Sequence, residues 1–275
     1  MRFTLPIDHK TPAVADRRAC CRPLHKRSYL FFFAASLFLF NVSCRKPRTP
    51  DALSWSQKIA LSAGYGSPVI DGSGADSVWE SLPWHPLNYA WEGGLASSTH
   101  LQGRYKVAWD ENNLYFLVEI TDDTLVENTA PGLGVPNLAD CLIIFLDEDA
   151  SGGQRTNYNA FAYHFFLDGS VFEAMPDSIC QVLDDHCWVR RISRESIHTW
   201  EIALRVYDGK IYRPSDENIA KRLKEGKKMG FAIAYGDRDG SSRWEDIVGN
   251  IPLGDKNPKT AWQSADNYLH LNLIR

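Results

Sequence analysis

The chain has 275 residues, of which 44% are hydrophobic and 23% are charged, and its net charge is −4. This length holds one large all-β domain or two smaller domains, and the composition is that of an ordinary globular protein. The first 43 residues carry seven Lys/Arg and two Asp/Glu, so the rest has 23 basic and 32 acidic residues, a net charge of −9. An acidic domain without a basic stripe argues against nucleic acid as a partner.

The N-terminal segment predicts export. Residues 1–28 are polar and basic, and an apolar run of twelve residues follows. That run is too short to span a bilayer and has the length of a signal-peptide core. The next four residues, N-V-S-C, end in Cys44 and resemble the lipobox of bacterial lipoproteins, although Asn41 stands where that motif usually has Leu. We therefore predict a signal peptide at 1–43 and a lipid on Cys44. The protein is then expected in the cell envelope, at the outer membrane, on its periplasmic side or at the surface.

A tether is expected between the lipid and the folded domain. Residues 45–51 (R-K-P-R-T-P-D) combine proline with charge, which disfavours a regular element. We assign 44–66 to a lipid-anchored tether and approach, and 67–275 to one domain, because no linker or repeat interrupts that range. The alternative is a plain secretory peptide cleaved near Ser43, with Cys44 unmodified.

The stretch from Arg104 to Asp123 predicts the hairpin on which the domain is built. Apolar residues alternate with mostly polar ones up to Trp109, and they alternate again from Leu114. A period of two on both sides of a short polar break is typical of a β-hairpin with one buried face. The Asp and Asn residues of the break (D-E-N-N) can bond their own backbone, which lets the chain reverse.

Further strands are predicted from short apolar or alternating runs bounded by turn residues. One of them begins the stretch 67–79 and is followed there by a Gly/Ser/Asp turn. The others lie within 139–149, 160–167, 170–174, 198–206, 230–235 and 268–274. Asp168-Gly169 predicts a hairpin turn. Three tryptophans on the apolar sides of these patterns are expected in the core: Trp79, Trp109 and Trp200.

One helix is predicted, over 216–228, with Ser215 or Asp216 as its cap and with Ile219 and Leu223 on one side. Many short strands with turns between them indicate an all-β fold with this one short helix. The expected architecture is an antiparallel β-sandwich of the jelly-roll or immunoglobulin-like type.

The cysteines beyond Cys44 leave two interpretations open. Cys141 lies inside an apolar strand and is expected to be a core thiol. Cys180 and Cys187 can form a disulfide in an oxidising periplasm, or remain two thiols. No Cys/His spacing resembles a zinc site.

The order of the elements resembles the family 9 carbohydrate-binding modules, which are DOMON-like β-sandwiches. The motifs that carry the resemblance are I-D-G at 70–72 with Trp79 after it, K-V-A-W-D-E-N-N-L-Y-F-L-V-E-I-T-D-D at 106–123, D-C-L-I-I-F-L-D-E-D at 140–149, W-E-I-A-L at 200–204 and G-F-A-I-A-Y-G-D-R-D at 230–239. The resemblance extends to the C-terminus. It implies a non-catalytic, single-module lipoprotein whose partner is an oligo- or polysaccharide.

In that family a sugar lies between two tryptophan faces, and charged or amide side chains bond its hydroxyls. The resemblance places one of these tryptophans at Trp262 and an arginine at Arg243. Three family positions differ: the second tryptophan, a Glu and an Arg correspond to Asn137, Ile143 and Ala162. Candidates for replacing these contacts are Trp91, Trp244 and His164. Three of the site residues also have a structural interpretation: Trp262 as an aromatic plug closing the end of the sandwich, Arg243 as a surface stack or ion pair, and His164 as a hydrogen-bonded structural histidine.

The resemblance also allows a structural calcium ion and requires no other cofactor. Asp147, Glu148 and Asp149, beside the S-G-G loop, offer oxygen ligands without forming an EF-hand loop. A solvated strand end is the alternative.

Three other functions stay open at this point. A sandwich that has lost its ligand would serve as an adaptor in the envelope. A glycoside hydrolase would need two carboxylates about 5 to 10 Å apart, drawn from Asp122, Asp123, Asp147 and Asp149. A haem protein would need axial ligands, drawn from Met175, Met229, His164 and His186. No P-loop, dinucleotide fingerprint, nucleophile elbow or paired-histidine motif is present in the sequence.

Overall fold

The computed structural model describes residues 60–94, 100–127, 139–154, 160–174, 180–183, 185–208, 219–253 and 259–275. The predicted signal peptide, the lipid on Cys44 and most of the tether lie outside these ranges. Across the described ranges, the helices are all too short or too polar to pass through a lipid bilayer.

Strands make up most of the described chain. They are β1 (Ala60–Tyr65), β2 (His85–Leu87), β3 (Tyr89–Glu92), β4 (Leu101–Trp109), β5 (Asn113–Asp122), β6 (Cys141–Asp147), β7 (Phe161–Phe166), β8 (Val171–Ala174), β9 (Cys180–Val182), β10 (Cys187–Arg194), β11 (Ile197–Arg205), β12 (Lys228–Asp237), β13 (Asp246–Gly249) and β14 (Leu269–Leu273). Two four-residue helices, α1 (Ser77–Glu80) and α2 (Thr260–Gln263), and a 3-10 turn at Ala265–Asn267 complete the described elements.

The strands form one continuous order of hydrogen-bonded neighbours, β10-β11-β5-β4-β1-β14-β12-β6-β7-β8-β9. In addition, β2 pairs with β4, and β13 pairs with β12 and β3. The described pairings are antiparallel except at β1, where residues 60–63 run parallel to β14 and residues 64–65 run parallel to β4. β1 therefore joins two halves of the order. We call β2, β4, β5, β10 and β11 the first half, and β3, β6–β9 and β12–β14 the second half.

The all-β class is confirmed, but the helix predicted over 216–228 is wrong wherever the structure describes it. From Ile219 the chain is irregular until β12 begins. The amides of Lys221 and Leu223 donate to carbonyls far away in the sequence instead of to the preceding helical turn. Leu223 is fully buried whereas Ile219 is 68% exposed, so the two side chains do not share a buried face. The described helices, α1 and α2, lie elsewhere.

The central hairpin has the predicted form. β4 and β5 pair without interruption up to the turn. Asp110 Oδ1 accepts the amides of Asn112 and Asn113, so the turn is closed by the local bonding that its composition indicates. Phe116 of β5 stacks on Phe231 of β12 with 5.6 Å between ring centroids. The apolar face of the hairpin thus packs against the second half and encloses the main core.

A buried carboxylate explains why the I-D-G and W-E-I-A-L motifs occur together. Glu201 of β11 accepts the amides of Asp71 and Gly72 and the indole N–H of Trp79. These hydrogen bonds hold α1 and the loop before it against the outer face of the first half. The short strand predicted at the start of 67–79 does not form, because residues 66–70 are irregular. The three tryptophans predicted for the core, Trp79, Trp109 and Trp200, are at most 1% exposed.

β10 is a strand that the sequence does not predict. Its arginines interrupt the apolar alternation, and among the described strands it pairs only with β11. Cys187 is buried in this strand, and the side chain of Cys180 lies outside the described residues, so the disulfide stays a prediction. Cys141 is fully buried in β6, as expected of a core thiol.

Candidate functional site

Aromatic side chains from five separate segments meet on the outer face of the second half. Trp262 of α2 lies edge-on to Trp91 of β3, with 5.9 Å between ring centroids, and tilted against Trp244 at 6.1 Å. Phe145 of β6 and His164 of β7 lie against the same indole, at 5.0 and 6.4 Å. We call these five residues the indole cluster. It contains four of the five predicted sugar-site residues: Trp91, His164, Trp244 and Trp262.

Two glycines make room for the outer rings of this cluster. A β-carbon on Gly249 of β13 would lie 2.3 Å from Cε2 of Trp91, and one on Gly236 of β12 would lie 2.5 Å from Cε2 of Trp244. Trp91 and Trp244 are only 5% and 8% exposed. Their indole N–H groups donate to backbone carbonyls at 2.8 Å. Since both rings are buried and hydrogen-bonded, they support Trp262 more than they offer a face to a ligand.

Trp262 is the half-exposed member of the cluster. Its indole N–H donates to Nε2 of His164 at 3.2 Å, and the two rings are nearly parallel, with 21° between their planes. His164 is fully buried. The imidazole therefore holds the indole in one orientation from below.

The described rings do not form a pair of parallel walls with space for a sugar between them. A sugar between two parallel rings makes van der Waals contact with each, which requires the ring centroids to be roughly 7 to 8 Å apart. The ring neighbours of Trp262 lie at 5.0 to 6.4 Å. Direct ring contact fills that space, so the described rings leave no gap for a sugar between two parallel rings. Asn137, at the second tryptophan position of the family, lies outside the described residues.

The two polar family positions form part of an apolar floor. Ile143 of β6 lies opposite His164 in the strand register, and Ala162 of β7 lies opposite Phe145. Both side chains are fully buried. Neither can bond a hydroxyl, so polar contacts with a sugar must come from the rim.

Arg243 lies at that rim, in the loop 238–245 that joins β12 to β13. Its Nη2 is 4.0 Å from Oε1 of Glu92, and its side chain is 71% exposed. The guanidinium is next to Trp244 in the sequence and is free to reorient toward a ligand. An exposed pair at this distance contributes little to stability.

A group of carboxylates lies where this loop begins and ends. Ligand oxygens of Asp122, Asp140 and Asp237 lie within 4.8 Å of one another, and all three residues are buried. Asp123, Asp239 and His100 extend the group toward the surface. We call these six residues the acidic cluster. The sequence does not predict it, because its members come from the ends of β5 and β12, the start of β6 and the turn before β4.

Burial governs the charge of the acidic cluster. Burial, followed by the neighbouring charge of Asp122, raises the pKa of Asp237 to about 8, and burial raises the pKa of Asp140 to about 7. The hydrogen bond to Asp123 raises the pKa of His100, whose Nε2 is 3.5 Å from Asp237 Oδ2. Oδ1 of Asp237 is buried and has no hydrogen-bond partner in the described structure. A buried acceptor without a partner is costly and calls for an explanation.

The donor set fits a hard divalent cation. Ca²⁺ takes six to eight oxygens at about 2.3–2.6 Å, so oxygens up to 4.8 Å apart can share one ion. At the strand end predicted for calcium, by contrast, Glu148 pairs with Lys227. Asp147 accepts the amide of Gly152, and Asp149 accepts that of Ser151. Oδ1 of Asp147, like Oδ1 of Asp237, is buried and has no hydrogen-bond partner in the described structure.

A family model and a curated protein match the sequence of this chain. A family model described as "Carbohydrate family 9 binding domain-like" matches residues 70–275. The endo-1,4-beta-xylanase A of Thermoanaerobacterium saccharolyticum is 33% identical over 116 residues, which are 39% of this chain. The match spans only 9% of the length of that xylanase.

Two solved structures of a family 9 carbohydrate-binding module from Caldicellulosiruptor kristjanssonii share the fold. One is in complex with cellotriose and the other with glucose, and each is 21% identical to this chain. They cover 78% and 79% of this chain and 94% and 97% of their own chains, with TM-scores of 0.55 and 0.57.

Proposed function

The chain belongs to the carbohydrate family 9 binding domain-like family, and we propose that it is a non-catalytic protein that binds an oligo- or polysaccharide on Trp262. The half-exposed ring of Trp262 carries this proposal. The C–H face of a pyranose is apolar and stacks on a flat indole, while polar side chains at the rim bond its hydroxyls. Because the solved relatives hold cellotriose and glucose, gluco-oligosaccharides are the first ligands to test.

A single platform implies modest affinity. We expect dissociation constants of about millimolar to micromolar, or about −4 to −8 kcal/mol. A lipid on Cys44 would raise the effective concentration of the domain near a polysaccharide. In this proposal residues 1–43 are a signal peptide, the protein is held at the outer membrane, and the two halves form a DOMON-like β-sandwich. Loss of lipid labelling in Cys44→Ser would test the anchor.

The positions of the carboxylates disfavour glycoside hydrolysis by a pair drawn from opposite ends of β6. Asp122 lies beside Asp140, directly before β6, and Asp147 ends that strand. Seven residues at about 3.3 Å each place the two ends of β6 roughly 23 Å apart. Carboxylates on opposite sides of a scissile bond are about 5 to 10 Å apart.

Haem ligation by His164 and Met229 is disfavoured for a similar reason. His164 lies on the outer face of the second half, against Trp262. Met229 is two residues before Phe231, which stacks on Phe116 in the main core, and alternate residues of a strand share a face. The two side chains therefore lie on opposite faces. Met175 lies outside the described residues.

We propose in addition that the acidic cluster binds calcium. The ion would supply the partner that Oδ1 of Asp237 lacks, and its binding would displace the protons that burial favours on Asp140 and Asp237. Asp237 ends β12 and Asp246 begins β13, so the ion would brace the loop that carries Arg243 and Trp244. Calcium is then expected to hold the rim of the sugar platform in place.

Thermal unfolding in calcium and in EDTA tests the metal site. Calcium should raise the melting temperature of the wild type and of Asp149→Asn, but not of Asp237→Asn, because a ligand that binds only the native state stabilises it. If Asp149→Asn loses the response and Asp237→Asn keeps it, the ion belongs at the end of β6.

Calorimetry and a glycan array test the main proposal. The purified protein should bind cellotriose or another array glycan, Trp262→Ala should abolish that binding, and Trp262→Phe should retain part of it because a flat ring remains. Binding that is undiminished in Trp262→Ala would remove this residue from the site. Absence of binding to every glycan on the array would favour an adaptor that has lost its ligand.

A further inference from the structure

A second groove lies on the outer face of the first half, away from the indole cluster. Its volume is about 350 Å³, and it is open to solvent on one side. Trp188 of β10, Tyr115 of β5 and Ile70 of the loop before α1 are among its walls. This volume is in the range of small-molecule sites. We call it the Trp188 groove.

The strand register explains why a groove forms here. Trp188 lies opposite Ala203 of β11, and Ala203 lies opposite Tyr115. A small side chain between two large rings leaves a trough across three strands. Trp188 is 49% exposed, and among the described strands β10 pairs only with β11. The indole thus offers an open apolar face beside a trough.

Two arginines lie at the groove. Arg190 lines it, and the guanidinium of Arg205 lies 5.9 Å from the centroid of the Trp188 ring. Nη1 of Arg190 donates to the carbonyl of the preceding residue. Neither arginine forms an ion pair within the described residues, and no acidic side chain lines the groove. Two nearby carboxylates are already engaged. Glu201, opposite Arg190 in the strand register, accepts the bonds of the loop before α1. Asp110 accepts bonds from Tyr115 and Asn113. On a domain with more acidic than basic residues, two guanidiniums without carboxylate partners are complementary to an anionic ligand.

We propose that the Trp188 groove binds a saccharide that carries a carboxylate, such as a chain of uronic acids. A pyranose ring would stack on Trp188, and its carboxylate would accept hydrogen bonds from Arg190, with Arg205 adding charge. An acidic peptide would also meet the guanidiniums, but a flat exposed indole beside a trough of this size suits a sugar ring better. The site is independent of Trp262, so the protein would hold two kinds of glycan on two faces.

Titration of the purified protein with trigalacturonate, by calorimetry, tests this assignment. Trp188→Ala and Arg190→Gln should each weaken binding by about tenfold or more, since each removes a central contact. Trp262→Ala should leave it unchanged. Raising the salt from about 20 to 200 mM should weaken binding, because exposed charges are screened. Both altered residues are exposed on an edge strand, so the variants are expected to fold, which their melting temperatures will check.

The matched control is Ile197→Ala, which removes another exposed apolar side chain of the first half, 47% exposed. It should leave trigalacturonate binding as it is. The proposal is overturned if trigalacturonate does not bind, if its binding responds to Trp262→Ala and not to Trp188→Ala, or if tetraglutamate binds equally well. Cellotriose binding and its dependence on Trp262 are measured independently of trigalacturonate binding. A failure of one proposal can therefore be distinguished from a failure of the other.

Discussion

The two outer faces of this domain use tryptophan in different ways. On the second half, Trp91 and Trp244 are buried with their N–H groups bonded to backbone carbonyls, and they leave Trp262 half-exposed. On the first half, Trp79 is buried and bonded to Glu201, whereas Trp188 is 49% exposed. On each face the buried tryptophans build the structure, and a more exposed tryptophan, Trp262 or Trp188, is the candidate for binding. The four predictions below test this division, in order of decreasing effect on stability.

The largest effect is expected at Glu201, which fastens the first face. Glu201→Ala leaves the amides of Asp71 and Gly72 and the indole N–H of Trp79 without their acceptor, which should cost about 3–5 kcal/mol. Denaturant unfolding measures this. As a control, Glu119→Ala breaks an exposed pair with Arg104 and should cost less than about 1 kcal/mol. Equal costs for the two variants would show that Glu201 does not hold this face together.

Acid should destabilise the domain through His186, beside the strand that carries Trp188. Burial lowers the pKa of His186 to about 4, and its ring stacks on Tyr207 with 3.9 Å between centroids. Between pH 6.5 and 4 the unfolded chain binds a proton that the folded state excludes. The histidine's contribution is therefore complete above pH 6.5 and is lost as the pH falls toward 4, by up to about 3 kcal/mol.

Carboxylates also titrate in this pH range and change the stability of both proteins. Comparing wild type with His186→Gln therefore isolates the contribution of the histidine. The free energy of unfolding should fall less steeply between pH 6.5 and 4 in the variant. Parallel pH profiles of the two proteins would contradict the assignment.

Gly249, which lies under the Trp91 ring on the outer face of the second half, should not tolerate a side chain. In Gly249→Ala the new methyl group would overlap the Trp91 ring, which should cost about 1–3 kcal/mol. Trp91 supports Trp262, so cellotriose affinity should fall as well. Gly94→Ala is the matched control, because a β-carbon there meets nothing within 4 Å. If the two variants are equally stable and bind alike, the ring contacts do not position Trp262.

Arg243 should change binding without changing stability. Arg243→Ala removes an exposed side chain whose described ion pair spans 4.0 Å, so unfolding should shift by less than about 0.5 kcal/mol. Loss of a charged hydrogen bond to the sugar should weaken cellotriose binding by about tenfold. Arg275→Ala, which removes an exposed arginine paired with Glu111, should affect neither property. A shift in melting temperature with unchanged affinity would make Arg243 a structural residue.

Local patterns were sufficient for the elements that depend on nearby residues. The β4–β5 hairpin follows from alternation and from Asp110, which bonds amides two and three residues away. The β7–β8 turn follows from Asp168 and Gly169 in the same way. Where distant groups decide the conformation, local patterns failed. The region of Leu223 has helical spacing, but its amides find carbonyls in other loops.

The sequence by itself determined the all-β class, the central hairpin and the three core tryptophans, because side-chain alternation and turn chemistry act over a few residues. Only the tertiary structure decided which tryptophans keep an open face and which carboxylates meet. Trp262 rests on His164, 98 residues away, and Asp122, Asp140 and Asp237 converge from three strand ends. Such contacts depend on the order of strands in the sheet, and no local period of the sequence records that order.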